Sequence, residues 1–256
     1  MIGRKNLFVA LTPEYLFKIP IKTSLIILID IFRATTTITA ALNAGVPKLL
    51  PVSSLEEARN SRTPDVLLGG EHKAAKPYDF DLGNSPLEYT PDKIGNKTVV
   101  FYTTNGTRVL ALVKEAPQII FGSFWNISAI EDYVKKWNGD VALVCAGWRS
   151  HVALEDAVFA GAMVKRLEQN FSPYADDPVI AKMLWEQGKD NLHEFLRRGT
   201  HWKRLRRQGV EQDFEVCLRQ DVTDVIPIYK DPYIVPLKIK TPSHAFATAN
   251  NHHDSS

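Results

Sequence analysis

The chain reads as an α/β protein, a three-layer α/β/α sandwich built on a mostly parallel, mixed sheet. Three observations predict this. Apolar runs of strand length recur along the sequence, and several are separated by segments of helical period, the alternation that βαβ units produce. The runs are also nearly continuous in apolar character, as strands covered on both faces are.

Taken in order, the strand candidates are "LFVAL", "LIILIDI", "KLLPV", "VLLGG", "TVVFY", "QIIFGS" and "VALVCAG". Helices are expected after the second run ("TTTITAALNAG", stopped by Gly45), the fifth ("GTRVLALVKEA", ended before Pro117), the sixth ("NISAIEDYVKKW") and the seventh ("ALEDAVFAGAMVKRLEQN"). Between the fourth and fifth runs lies "EHKAAKPYDFDLGNSPLEYTPDKIGNK", without a clear period and rich in Pro, Gly and Asn. A loop of that length is uncommon unless it is functional. The segment from about residue 174 to 240 reads as helices joined by glycine-marked turns, then one or two closing strands in "DVIPIYKDPYIVPLKI". Residues 1–240 are thus expected to form a single domain, and the polar residues 241–256 a disordered tail whose His252 and His253 are read as solvated.

Composition narrows the function classes. A chain of 256 residues, 45% hydrophobic and 23% charged, buries a sizeable core, and a net charge of +2 is too small to argue for nucleic acid or an anionic membrane. Cys145 and Cys217, both in apolar surroundings, suit reduced thiols. No apolar run approaches a bilayer-spanning length and the N-terminus has no long apolar segment, so the expectation is a cytoplasmic protein with no membrane or nucleic-acid partner, homo-oligomer formation being left open.

Two junctions where a strand gives way to a helix are crowded with small hydrogen-bonding groups: "IDIFRATTTI", with Asp30, Arg33, Thr35, Thr36 and Thr37, and "TTNGTR", with Thr104, Asn105, Gly106 and Arg108. Ligands of open α/β sheets collect at this edge, where helix N-termini offer free N–H groups. Two more junctions carry Ser123, Asn126 and Ser128, then Gly147 and Arg149, to the same edge. Together they predict an anion-binding crevice; singly, each Ser or Thr is equally a helix cap. Acids accompany them: Asp30 ends an apolar strand, Glu71 follows "LLGG", Asp79 and Asp81 lie in the long loop, and Glu155 and Asp156 open a helix. A buried acid is costly unless paired or metal-bound, and hard oxygen ligands beside an anion site suggest Mg²⁺. For Glu155 and Asp156, stabilisation of the helix dipole is the competing reading, and for Asp30 a salt bridge to an arginine such as Arg33.

Several known machines do not fit. The sequence has no GxxxxGK[ST] and no GxSxG. The position where a cysteine phosphatase would place its arginine after Cys145 holds His151, and the position of a second acid after Asp30 holds Phe32, so neither a thiolate nor a phospho-aspartate mechanism is supported.

These motifs resemble the 2-phosphosulfolactate phosphatase family. "IDIFRATTTI", "LLGGE" followed by "FDLGNSPLEY", "TTNGTR", "GSFWNISAI", "CAG" followed by "LEDAVFAGA", then "HWKRLRRQG" and "CLRQDVTDVIP" follow the family's order and spacing from about residue 7 to residue 236. The resemblance implies a three-layer α/β/α fold and Mg²⁺-dependent hydrolysis of 2-phosphosulfolactate to 3-sulfolactate, a step of coenzyme M biosynthesis. It maps Asp30, Arg33, Glu71, Asp81 and His201 to catalysis, and Asp30, Glu71, Asp81 and Asp156 to the metal. Thr35, Thr36, Asn84, Ser85, Thr104, Asn105, Gly106, Ser123, Asn126, Gly147 and Arg204 are mapped to the substrate. An attacking water is the simplest nucleophile, with a carboxylate or His201 as base. Trp148, Arg149 and His151 stand where the family tends to small polar residues, and Trp202 where it tends to glycine, which points to a reshaped pocket. The alternatives are a phosphatase of the same architecture acting on another small anionic phosphoester, and a non-catalytic protein that binds an organic phosphate or sulfonate. The basic run Lys203, Arg204, Arg206, Arg207 reads as a solvated face or as bringing one arginine to the sulfonate.

Overall fold

The computed structural model describes residues 5–104 and 106–238. Each of the seven apolar runs forms a strand: β1 (Lys5–Ala10), β2 (Leu25–Ile29), β3 (Leu49–Pro51), β4 (Val66–Gly70), β5 (Thr98–Tyr102), β6 (Gln118–Gly122) and β7 (Val141–Cys145). To these are added β8 (Phe171–Pro173), β9 (Val225–Lys230) and β10 (Tyr233–Lys238). All ten belong to one sheet of order β4-β5-β3-β10-β9-β6-β2-β7-β1-β8. Two parallel blocks, β3/β5/β4 and β6/β2/β7/β1/β8, are joined by the antiparallel hairpin β9–β10. The seams are narrow, with Ile120 opposite Ile228 on one side and Leu49 opposite Ile234 on the other.

The period of two along the strands divides the core between the sheet's faces. Leu25, Ile27 and Ile29 of β2 pack with Leu7, Val9, Val141, Leu143 and Cys145 on one face; Ile26 and Leu28 pack with Phe8, Ala10, Ala142 and Val144 on the other. The first face is covered by α5 (Ile127–Lys135), α6 (Leu154–Leu167), α7 (Asp177–Gly188) and α10 (Glu211–Cys217). The second is covered by α1 (Ala34–Asn43) and α4 (Gly106–Val113). This is the expected α/β/α sandwich. All five residues of β2 are buried, each large aliphatic side chain contributing about 1.5–3 kcal/mol of transfer free energy.

Three short helices, α2 (Leu55–Asn60), α3 (Pro91–Ile94) and α8 (Leu192–Leu196), complete the frame together with α9 (Thr200–Arg207). The long loop after β4 is not continuous coil: it contains a 3-10 turn at Pro86–Glu88 and α3. It folds back on β4, with Leu82 bridged to Gly69. Strand β8 escapes the sequence pattern because it has only three residues, Ser172 and Pro173 among them, and pairs by register with β1. The expected tail 241–256 lies outside the described residues.

Candidate active site

The carboxyl ends of β2, β4, β5 and β7 and the start of α9 converge on Asp30. Its chain neighbours position it. Thr35 donates its Oγ1 hydrogen to the Asp30 carbonyl (2.9 Å), with the Thr35 amide on the same oxygen (3.0 Å), closing the turn into α1. Thr36 donates to the Ile31 carbonyl (3.1 Å) and Thr37 to the Asn84 carbonyl (3.0 Å), which ties the long loop to α1. The hydroxyls of Thr35 and Thr36, mapped to substrate, are therefore spent on backbone carbonyls and shape the turn.

Burial raises the Asp30 carboxyl to about 6; the nearby His201 opposes the shift, while the charges of Glu71 and Glu155 add to it. Asp156 is pushed well above the usual carboxylate range, first by burial and then by the charges of Glu155 and Asp30. Its two oxygens accept the Ile31 amide (2.9 Å) and the Gly147 amide (3.1 Å), stitching the loop after β2 to the loop after β7. Asp156, expected as a metal ligand, also positions backbone, and Gly147 serves it through its amide.

Glu71 is buried and accepts the Thr104 amide (2.7 Å) and the Ala74 amide, so that the ends of β4 and β5 are clasped by one carboxylate. The turn into Glu71 requires Gly70: φ is +123° and a Cβ there would lie 1.8 Å from the Tyr102 carbonyl oxygen. Thr104 is exposed and its Oγ1 accepts the Lys73 amide (3.3 Å). Gly106, opening α4, lies against the site: a Cβ would be 3.1 Å from Thr103 Oγ1, 3.2 Å from Ala34 Cβ and 3.5 Å from Asp30 Oδ2. Asn105 lies outside the described residues.

Arg33 is buried and pairs with the buried Asp213 of α10, which also accepts the Ser85 hydroxyl. Asp213 was not singled out in the sequence, since its partner lies 180 residues away in the chain. Asn84, also buried, has an Oδ1 with no partner. His201 sits between Glu155, at Nδ1, and Arg204, at Nε2. Both ring nitrogens are engaged, so His201 links Glu155 to Arg204 and is not a free base as expected. Arg204 keeps a buried Nε without a partner, and its charge is felt by Glu71, Asp30 and Glu155.

Other expected residues lie elsewhere. Asp81 accepts the Leu68 amide (2.8 Å) and pairs with Arg62 (3.4 Å) on the flank of β4, leaving it engaged in the loop's own anchorage. Asp79 pairs with Arg59 (2.8 Å), and the exposed Arg108 with Glu14 (3.5 Å). Ser123 and Asn126 are fully buried: the Ser123 amide (3.0 Å) and hydroxyl (3.1 Å) both donate to Asn126 Oδ1, and Asn126 Nδ2 donates to the Val225 carbonyl (3.0 Å). They cap the turn before α5 and hold it to β9, a structural use in place of the expected substrate contact. Cys145 and Cys217 are free and buried, and burial pushes the Cys145 thiol well up, away from a thiolate role.

The loop after β7 forms a tight hairpin that the sequence did not signal. Trp148 and His151 exchange backbone hydrogen bonds (2.9 Å each) across Arg149 and Ser150, whose φ values are 50° and 64°. The Trp148 ring lies 4.8 Å from the Arg149 guanidinium and 5.1 Å from that of Arg204. Between this hairpin and α9 opens a pocket of about 220 Å³, its lining including Trp148, His151, Glu155, His201, Arg204 and Arg207. Trp202, in contrast, turns toward the core, 4.4 Å from the Phe214 ring. Among the described residues, no group of three or more His, Cys, Asp or Glu is arranged to hold a metal ion, and no helix is long and apolar enough to cross a membrane.

Comparison with known proteins adds a lineage to this geometry. The family model described as 2-phosphosulpholactate phosphatase matches residues 10–232. A probable 2-phosphosulfolactate phosphatase of Thermotoga petrophila is 41% identical over 208 residues, covering 81% of this chain and 90% of that protein. One of the same name from Caldanaerobacter subterraneus is 38% identical over 216 residues (82% and 90%), and one from Clostridium botulinum 33% over 235 residues (90% and 98%).

Proposed function

This chain belongs to the 2-phosphosulpholactate phosphatase family, and on that premise we propose that it is a phosphoric monoester hydrolase that converts 2-phosphosulfolactate to 3-sulfolactate and phosphate, with Mg²⁺, in coenzyme M biosynthesis. The observation that carries the chemistry is the buried Asp30 carboxylate at the end of β2, raised to about 6 amid Glu71 and Glu155, with Arg33 and Arg204 at the rim of the same cluster.

The acids at the site offer the hard oxygen donors that a divalent cation takes, although no three of them are arranged as a ligand set among the described residues. Four acids, Asp30, Glu71, Glu155 and Asp156, repel one another in a buried space, and a cation relieves that repulsion. Mg²⁺ needs only one or two protein carboxylates besides substrate oxygens and water. Asp30 would hold it, with Glu71 and Asp156, each of which accepts backbone amides, offering a remaining lone pair; Asp81 is engaged by an amide and by Arg62. When bound, the ion supplies neutralisation of charge on the phosphoryl oxygens. Arg33 and Arg204 offset the remaining charge as the P–O bond breaks, and each is itself held, by Asp213 and by His201. Their preset orientation means that little reorganisation accompanies the reaction. The proton of the attacking water would pass to a carboxylate of this cluster. Glu155 acts through His201 and keeps Arg204 turned toward the acids.

The test is phosphate release from purified protein given 2-phosphosulfolactate and a panel of small phosphoesters, with Mg²⁺ and with EDTA. Turnover of phosphosulfolactate that EDTA abolishes and Mg²⁺ restores is the expected result. Turnover of a different ester would overturn the substrate, EDTA-resistant turnover would overturn the metal, and no turnover with retained anion binding would leave a binding protein in place of the enzyme.

A further inference from the structure

We infer that the pocket between the 148–151 hairpin and α9 is the subsite for the substrate's second anionic end, the group remote from phosphorus, and that Trp148, acting with Arg204 and Arg207, determines specificity there. The inference rests on the reading of the protein as a phosphatase of a small polyanion and assigns its selectivity to residues of this chain.

Charge separates the two ends of the site. Around Asp30 the acids gather, and an anion can be accommodated there only against Arg33 or a cation. Across Glu155 the balance reverses. Arg204, Arg207 and His151 line the pocket, and the single acid on its wall, Glu155, is already paired with His201. A sulfonate carried by the phosphoester therefore meets a wall on which arginine charge outweighs acid. The volume of about 220 Å³ is enough for such a group and part of its hydration.

Arg204 is the hinge of the arrangement. One of its nitrogens faces His201, the Trp148 ring lies 5.1 Å from its guanidinium carbon, and its buried Nε has no partner. A buried unpaired donor costs on the order of 1–3 kcal/mol, which an oxyanion entering beside it recovers. Trp148 holds the guanidinium by a cation–π contact and is itself held by the backbone pairing of the hairpin and by Arg149 on the ring. The aromatic ring also bounds the space into which the second group must fit. Trp148 thus sets both the orientation of the anion contact and the reach of the pocket. It is placed by its local chain and not by the core, so its replacement leaves the sheet untouched.

The experiment compares wild type, Trp148→Ala, Trp148→Phe and Arg207→Ala by calorimetric titration with 3-sulfolactate and with lactate, and by kinetics on 2-phosphosulfolactate and 2-phospholactate. Loss of one cation–π contact predicts a Kd for 3-sulfolactate weakened about tenfold in Trp148→Ala, with Trp148→Phe recovering part of it. Arg207→Ala should weaken it several-fold by removing an exposed charge at the pocket wall. Lactate binding should be unchanged in all three, and the KM for 2-phosphosulfolactate should rise in Trp148→Ala by a larger factor than kcat falls. Equal effects on sulfonated and unsulfonated ligands, or none on either, overturn the subsite while leaving the phosphatase reading intact. Absence of turnover with the same selective loss of 3-sulfolactate binding overturns the phosphatase reading and supports the subsite.

Discussion

Asp30→Asn should make the protein inactive and, at neutral to alkaline pH in the absence of divalent cations, more stable. In the folded chain the Asp30 carboxyl is raised from 3.8 to about 6, a difference of about 2 units that corresponds to roughly 3 kcal/mol of destabilisation once the group is ionised. The sign follows from proton binding. The folded state holds the proton more tightly than the unfolded one, so this cost is absent below the unfolded pKa, grows as pH rises from about 4 to about 6, and is complete above that. Asparagine removes the charge but leaves a buried polar group, so about half of the cost should be recovered, near 1–2 kcal/mol, which for a chain of this size is roughly 3–6 °C in Tm. The assay is thermal unfolding by circular dichroism at a series of pH values in EDTA. The advantage of the variant should be largest near pH 8 and vanish toward about pH 4. Added Mg²⁺ should then raise the Tm of the wild type and not that of the variant, since a ligand stabilises only the state that binds it. A variant less stable than wild type at every pH would refute the burial argument, and an equal Mg²⁺ shift in both proteins would remove Asp30 from the metal.

Gly106→Ala places a methyl group 3.1–3.5 Å from Thr103, Ala34 and Asp30; activity should fall by about tenfold or more, with a stability loss of about 1–2 kcal/mol measured by urea unfolding. Asp213→Asn strips the buried Arg33 of its counter-charge; the expected cost is about 3 kcal/mol of stability and a loss in kcat/KM, and an unaffected midpoint of unfolding would show that Arg33 is held by other means. Asp81→Asn should keep kcat/KM within about threefold while lowering Tm slightly, because its carboxylate serves Leu68 and Arg62; a loss of activity comparable to that of Asp30→Asn would return it to the metal site.

By itself the sequence determined the elements and the edge at which the site forms. Seven apolar runs became seven strands because their pattern requires burial on two faces, and the acids and threonines at the run ends reached the carboxyl edge because a parallel sheet sends every strand's end to the same side. Which polar groups remain free was a tertiary matter. Thr35, Ser123 and Asn126 have the composition of an anion cradle, yet Thr35 closes on the Asp30 carbonyl and Ser123 on Asn126 Oδ1 within their own turns, and Asn126 on the Val225 carbonyl, which only packing brings near. Arg33 and Asp213, 180 residues apart, and the triplet Glu155, His201 and Arg204 meet for the same reason. The clearest case is the last hairpin. Read in order, β9 and β10 are closing strands with no assigned place in the sheet; in the folded protein they lie in its middle, because the two parallel blocks offer facing edges that an antiparallel pair can satisfy, and no local pattern encodes which edges those are.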